Sequence, residues 1–427
     1  MKALVTTANR RTEKVFLVGL ELKSRSTGDV KDSMAELAEL VDTAGGAVAG
    51  TATQKLEAPV AGTFIGSGKA TEIAGLCRGL DVDTVVFDDE LSSAQGRNLE
   101  KIFECKVLDR TSLILDIFAR RARTREGKMQ VELAQLRHLL PRLTGFWAHL
   151  SRQKGGIGMR GDGETQLEAD RRKVQERIER IEKDLLDVRR QRLTQRQGRQ
   201  RHQWPLASIV GYTNAGKSTL INALTGAGLL AEDKLFATLD PTTRRLRLPT
   251  NQNVLLTDTV GFIRKLPHGL VEAFKATLEE VVEADLLIHV VDASHPGATD
   301  HISAVNSVLD DIGAGGKPTL MAFNKTDLLP AEFLGLLRER FEKAVSISAK
   351  TGSGLNDLKS ELGTMLRPIR DFVELEIPHE ASEAMARLHV VGQVVERDYE
   401  GEKARFKARI PPHLHAEFSG FIVRELD

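Results

Sequence analysis

The chain has little cysteine, no long apolar run and no net charge. Two cysteines among 427 residues, Cys77 and Cys105, form neither a CxxC pair nor a disulfide framework. No apolar run approaches the ~20 residues a membrane helix needs. The short N-terminal patch, Ala3 to Val5, is followed by Arg10 and Arg11, which does not suit a secretory signal. A cytoplasmic location is the expectation. His379, His389, His413 and His415 lack metal-ligand spacing. The zero formal charge, 60 basic against 60 acidic residues, conceals an asymmetry. Residues 120–201 hold 22 Lys and Arg against 11 Asp and Glu, a net of +11 that leaves −11 for the remainder. Such a run is either a solvated helical face or the seat of an anionic partner.

What is present begins with Gly211-Tyr212-Thr213-Asn214-Ala215-Gly216-Lys217-Ser218. This is a phosphate-loop pattern, a Gly, four residues, then Gly-Lys-Ser. It follows an apolar stretch, 206–210, that reads as a buried parallel strand, and it opens a helical pattern over 218–224. The glycines let the backbone curl so that N–H groups point at a phosphate, and the helix N-terminus adds its positive end. Lys217 is placed to reach the β- and γ-phosphates, and the Ser218 hydroxyl to ligate Mg²⁺.

One such motif leaves the base open, and three more decide it. Asp258-Thr259-Val260-Gly261 ends an apolar strand at 254–256. Asp258 can hold Mg²⁺ through water, and the Gly261 N–H can sense a γ-phosphate. Asn324-Lys325-Thr326-Asp327 ends a strand at 319–323. Asp327 can accept from N1–H and the 2-amino group of guanine. Adenine has neither donor and would leave a buried carboxylate unpaired, at a cost of about 1–3 kcal/mol or more. Ser348-Ala349-Lys350 can offer a backbone N–H to the guanine O6. All four motifs lie at carboxyl ends of predicted strands, where open α/β sheets bind ligands. The pattern predicts a guanine-nucleotide switch.

Around it the periodicity predicts a small α/β domain at 1–117, with strands at 14–22, 84–87 and 106–108 and helices at 31–43 and 91–103. Ile65 to Lys69, IGSGK, resembles a phosphate loop, but Thr63 and Ala70 stand where a Gly and a Ser or Thr are needed, so it reads as a structural turn. Residues 118–203 predict one helix at 118–144 and a longer one at 165–198. Their apolar seam (Met129, Leu133, Leu136, Leu140; Leu167, Val174, Ile178, Ile181, Leu185, Val188) suits antiparallel pairing. Between them, Ser151 to Gly163 carries five glycines with Arg152, Lys154 and Arg160, beside Phe146 and Trp147. That loop is either a mobile connection or a backbone-following contact for nucleic acid. The nucleotide domain spans 204–366, and a small α+β domain spans 367–427, with strands at 373–377, 393–399 and 404–410 and helices at 381–388 and after Pro412.

The chain resembles the HflX family of translation-associated GTPases. The resemblance rests on FIGSGKATEI (64–73), LDRTSLILDIFARRARTREGKMQVELAQL (108–136), GGIGMRGDGETQLEADRR (155–172), FATLDPTTR (236–244) and DTVGFIRKLPHGLVEAFKATLEE (258–280). Asp162 departs from it, where the family has proline. The implied fold is α/β: a P-loop GTPase domain with a mostly parallel sheet. A small α/β domain and a long antiparallel helical hairpin precede it, and a small α+β domain follows.

Residues 236–244 and 258–280 look like the family's first and second switches; Thr238, Thr242 and Thr243 all suit Mg²⁺ chemically, and the resemblance favours Thr238, in the stretch Phe236-Ala237-Thr238-Leu239-Asp240 of the first. It also implies a partner, the large ribosomal subunit and its rRNA, met through the basic hairpin, and a role in splitting stalled or idle ribosomes. Other readings of the same residues are a GTPase of ribosome assembly, an RNA-remodelling NTPase with a second nucleotide site in the N-terminal domain, or a signalling GTPase whose hairpin binds protein. Phe262 stands where a self-sufficient GTPase places a water-orienting Gln. Hydrolysis is therefore expected to be slow alone and stimulated by the ribosome, with Lys217, Thr238, Asp258 and Gly261 as its working residues and the protein a monomer. Asn214 is either a loop hydrogen-bonder or, as the likeness to potassium-stimulated GTPases implies, a ligand to K⁺.

Overall fold

The computed structural model describes residues 12–22, 27–146, 162–200, 204–226, 234–240, 242–265, 275–330, 341, 344–366, 370–411 and 414–426. The glycine-rich loop up to residue 161, Trp147, the N-terminal patch, Pro412, His413 and residues 266–274 of the second switch lie outside them. The chain groups into two compact units, residues 1–186 with 264–273, and residues 187–263 with 274–427. Among the described residues no helix is long and apolar enough to cross a membrane.

The first unit carries a four-stranded parallel sheet in the order β2-β1-β3-β4: β1 Lys14–Leu22, β2 Ala47–Leu56, β3 Thr84–Phe87 and β4 Lys106–Asp109. Val15 to Leu20 and all four residues of β3 are buried, as strands covered on both faces must be. Helices α1 Thr27–Thr43, α2 Ser67–Leu80 and α3 Ser93–Phe103 connect them. Their core gathers Phe16, Phe87, Ile73, Leu99 and Phe103. Ser92 and Gln95 close a capping box on α3. IGSGK is the entry to α2: the Gly66 N–H donates to Gln54 Oε1 at 2.8 Å, and Lys69 pairs with Glu72 at 2.7 Å.

The single helix expected at 118–144 is two. Helix α4 Arg110–Arg121 ends at Ala122, and α5 Arg125–Phe146 begins anew. The Thr124 hydroxyl accepts from the Gly127 N–H at 2.9 Å, an N-cap bond that restarts the helix. Because α4 runs through residue 117, a domain limit there falls inside a helix. Helix α6, Asp162–Gln200, follows. Ion pairs join Glu132 to Arg177 and Arg137 to Glu182, both at 2.7 Å. These ion pairs join the two helices of the expected hairpin. An apolar stripe selects a face and carries no direction.

The second unit holds a six-stranded sheet in the order β10-β9-β8-β5-β7-β6. Its strands are β5 Leu206–Gly211, β6 Thr242–Arg247, β7 Asn253–Asp258, β8 Leu286–Asp292, β9 Thr319–Asn324 and β10 Ala344–Ser346. All pairs are parallel except β6 with β7. Helices α7 Lys217–Thr225, α8 Lys275–Val282, α9 Ala298–Asp311 and α10 Leu355–Met365 flank it. A second, antiparallel sheet, β12-β13-β11-β14, follows: β11 Asp371–Pro378, β12 Gln393–Glu400, β13 Lys403–Ile410 and β14 Ile422–Leu426. It packs with α11 Ser382–Val391 and α12 His415–Phe418 around Phe406 and Phe418.

Asp109, at the end of β4, is fully buried and caps α4 through the Ser112 N–H at 2.9 Å. It also holds Arg142 and His138 of α5. Burial alone would raise its pKa, but His138, Arg142 and Ser112 together hold it well below the usual carboxylate range. A depressed carboxylate contributes stability above its unfolded pKa of ~3.9 and loses it as pH falls toward the folded value. The N-terminal unit should therefore destabilise from about pH 4 downward. Asp109→Asn should cost on the order of 3 kcal/mol near neutrality and flatten that acid limb. Urea unfolding against pH, with hydrogen exchange on α4 and α5, measures both.

Candidate functional site: a nucleotide cleft at the strand ends

The motif residues meet at one edge of the six-stranded sheet. Strands β5, β7, β9 and β10 are parallel, so their carboxyl ends, and the loops that carry the four motifs, emerge on one side. A cleft of about 490 Å³ opens there. Of the predicted residues, Thr213, Asn214, Gly216, Lys217, Ser218, Phe236, Ala237, Thr238, Thr259, Gly261, Asn324, Lys325, Asp327, Ala349 and Lys350 line it. Gly211, Tyr212, Ala215, Leu239, Asp240, Asp258, Val260, Thr326 and Ser348 lie outside its lining. Thr219, Lys234 and Leu328 also line it and carried no sequence signal.

Several residues outside the lining hold the walls. Gly211 has φ +153°, and a Cβ there would stand 2.2 Å from the Val290 carbonyl oxygen. At Gly216, φ +91°, a Cβ would meet Asn324 Nδ2 at 2.3 Å. Only glycine allows these approaches. The Tyr212 ring stacks on His301 of α9, with centroids 3.8 Å apart. The loop is also tied to the second switch: the Phe262 N–H donates to the Gly211 carbonyl at 3.1 Å, and the Thr213 N–H donates to the Phe262 carbonyl at 2.7 Å.

The phosphate end is built from buried polar groups. Lys217 Nζ donates to the carbonyls of Tyr212 (2.7 Å) and Gly211 (3.2 Å), which hold the ammonium beside Gly261. Burial pushes its pKa down to about 8, against the opposing pull of Asp258. Asp258 is fully buried at the end of β7, and burial raises its pKa despite Lys217 and the hydroxyls of Ser218 and Thr238. Ser218 Oγ donates to Asp258 Oδ2 at 2.8 Å and lies 2.8 Å from Thr238 Oγ1. Thr242 and Thr243, the other threonines considered, are the first residues of β6, and Thr243 bonds Thr257 at 3.1 Å instead.

The base end is held by Asn324. Its Nδ2 donates to the Ala215 carbonyl at 2.8 Å, and its Oδ1 accepts from the Ala349 N–H at 2.9 Å. One buried amide thus joins the phosphate loop to the Ser348-Ala349-Lys350 turn. Ser348 Oγ donates to Asp327 Oδ1 at 2.6 Å, fixing the carboxylate plane, and Thr326 Oγ1 donates to the Ile347 carbonyl. Lys325, at φ +62°, pairs with Asp292 at 2.7 Å. Asp292 ends β8, so the same strand-end reasoning that found Asp258 could have found it. One expectation is corrected: Asp327 is exposed, not buried. A base would have to cover it before an unpaired carboxylate became costly.

Replacing Asn324 by Ala would leave the Ala215 carbonyl and the Ala349 N–H unpaired, about 1–3 kcal/mol each. Asn324→Ala should therefore lower guanine-nucleotide affinity by roughly tenfold or more and lower the melting temperature of the nucleotide unit. Titration calorimetry with GDP is the measurement.

Comparison with known proteins agrees with this geometry. Three family models match in succession: "GTP-binding GTPase N-terminal" over residues 31–119, "GTP-binding GTPase Middle Region" over 121–199 and "50S ribosome-binding GTPase" over 207–325. The chain is similar to the GTPase HflX of Lacrimispora saccharolytica, 48% identical over 95% of this chain and 96% of that one. It is 47% identical to the GTPase HflX of Escherichia coli K12, over 90% of each. A solved structure of SsGBP with GDP is 25% identical, with a TM-score of 0.48, over 82% of this chain and 98% of the other. With its nucleotide cleft assembled at the strand ends and its relatives matched almost end to end, the chain belongs to the HflX family and is a GTP-binding, GTP-hydrolysing enzyme.

Proposed function

We propose that the GTP-bound protein docks on the large ribosomal subunit, through the basic region 120–201 and rRNA, and dissociates stalled or idle ribosomes. In this reading it acts as a cytoplasmic monomer, and hydrolysis permits its release. The observation that carries the proposal is the match of the nucleotide domain to a family model described as 50S ribosome-binding. The +11 charge of residues 120–201 supports an RNA partner.

The oxygens of Ser218, Thr238 and Asp258 fit Mg²⁺. They form a hard set of two hydroxyls and one carboxylate, drawn together at 2.8 Å contacts around a buried acid whose pKa burial raises despite Lys217. Ser218 and Thr238 would hold the ion directly and Asp258 through water. When bound, Mg²⁺ neutralises charge on the β- and γ-phosphate oxygens. The remaining work falls to the chain. Lys217 presents its ammonium beside Gly261, where a Cβ would meet Nζ at 3.0 Å, so the glycine leaves its N–H open to a γ-phosphate. Asn324, Asp327 and the Ser348-Ala349-Lys350 turn hold the guanine. The Phe262 ring is buried and cannot orient water, so turnover awaits the ribosome.

Sucrose-gradient sedimentation tests the proposal. Intact ribosomes should separate into subunits with the protein and GTP or a non-hydrolysable analogue, and should stay whole with GDP. Association only with immature large subunits would favour a role in assembly instead.

Asn214, at φ +59° in the cleft lining, is proposed as a K⁺ ligand that supplies the charge of an arginine finger. Turnover should be faster in KCl than in NaCl at equal ionic strength. Equal rates leave Asn214 a loop residue.

A further inference from the structure

Among the described residues, four lysines line the nucleotide cleft against one aspartate: Lys217, Lys234, Lys325 and Lys350, with Asp327. Three of the four already have a place in the site. Lys217 is held by the Tyr212 and Gly211 carbonyls, and Lys325 pairs with Asp292 at 2.7 Å. Lys350 belongs to the turn assigned above to the guanine, where Ser348 Oγ donates to Asp327 Oδ1 at 2.6 Å. Lys234 has no such place. It is exposed, and no described residue bonds or pairs with its ammonium.

The main chain beside Lys234 is well anchored. Leu235 and Phe236, the next two residues, are 3% and 2% exposed. Two residues further on, Thr238 Oγ1 lies 2.8 Å from Ser218 Oγ at the start of α7. The root of Lys234 is thus fixed at the cleft, while its ammonium stays free on a flexible four-carbon stem.

An unpaired ammonium on a cleft wall attracts an anion that enters, and neighbouring charges of the same sign strengthen that pull. Guanine and ribose are uncharged. The phosphate chain carries the negative charge of the ligand, about −2 on a terminal phosphate near neutrality. It is therefore the part of the nucleotide that Lys234 attracts.

We propose that Lys234 is a nucleotide-binding residue: its ammonium contacts the phosphate chain of GDP and GTP from the first-switch side of the cleft, separately from Lys217. The inference rests on the assignment of the cleft to guanine nucleotides. Lys217 is buried and Lys234 exposed, so the Lys234 contact is the one that salt screens.

Titration calorimetry of the full chain with GDP and with a non-hydrolysable GTP analogue tests it. Lys234→Met should weaken both by about three- to tenfold. Lys234→Glu, which reverses the charge on the same wall, should weaken them further. Lys234→Arg should stay within about twofold of wild type. The wild-type advantage over Lys234→Met should narrow in concentrated NaCl. Because the ammonium has no described partner in the protein, Lys234→Met should melt at the wild-type temperature without nucleotide. Affinities of Lys234→Met within about twofold of wild type overturn the proposal. So does a glutamate variant that binds as well as the methionine variant, or a nucleotide-free methionine variant that melts several degrees lower. Wild-type GDP binding in the same titration separates failure of this inference from failure of the nucleotide assignment.

Discussion

The site depends on two charges kept from water where an apolar sheet ends. Asp258 closes β7 with no exposure, and Lys217 begins α7 at 7%. Burial moves the lysine down to about 8 and raises the acid, each toward its neutral form. Their mutual attraction opposes both shifts and is outweighed, which is the usual balance when desolvation is nearly complete. Everything nearby serves to keep these groups ionisable. Two carbonyls receive the ammonium, two hydroxyls meet the carboxylate, and glycines at 211 and 216 let the main chain pass where a side chain would collide.

The parts of this arrangement that were legible in the sequence share one property: each is a local chemical pattern at the end of a continuous apolar run. The Ile209–Val210 and Leu256–Asp258 segments announce both the strand and the turn after it, so the cleft could be read without coordinates. Strand β6 was not legible. Its sequence TTRRLR is polar and charged, and only Leu246 is deeply buried. It forms because an edge strand needs a partner and one covered face: β7 pairs with it, and Leu246 packs into the core of the nucleotide unit. Strand β2 was missed for a similar reason: its residues are small or polar and half exposed. Pairing with β1, which no local window contains, makes it a strand.

Side-chain environment was harder to read than side-chain identity. Asp327 was expected to read the base from within a buried site, yet it is exposed on the short helical turn Thr326–Leu328 at the rim of the cleft. The break between α4 and α5 turns on one hydroxyl, Thr124, in a stretch of otherwise good helix formers.

Phe262 occupies the position after the Asp-x-x-Gly glycine where a self-sufficient GTPase places a glutamine. A glutamine there would hold a water, and its side chain would have to stay polar and accessible. The phenylalanine ring is 2% exposed, and its backbone bonds the phosphate loop on both sides. The position thereby becomes an anchor. An anchored residue at this position holds the neighbouring glycine, and its apolar ring offers no hydrogen bond to a water.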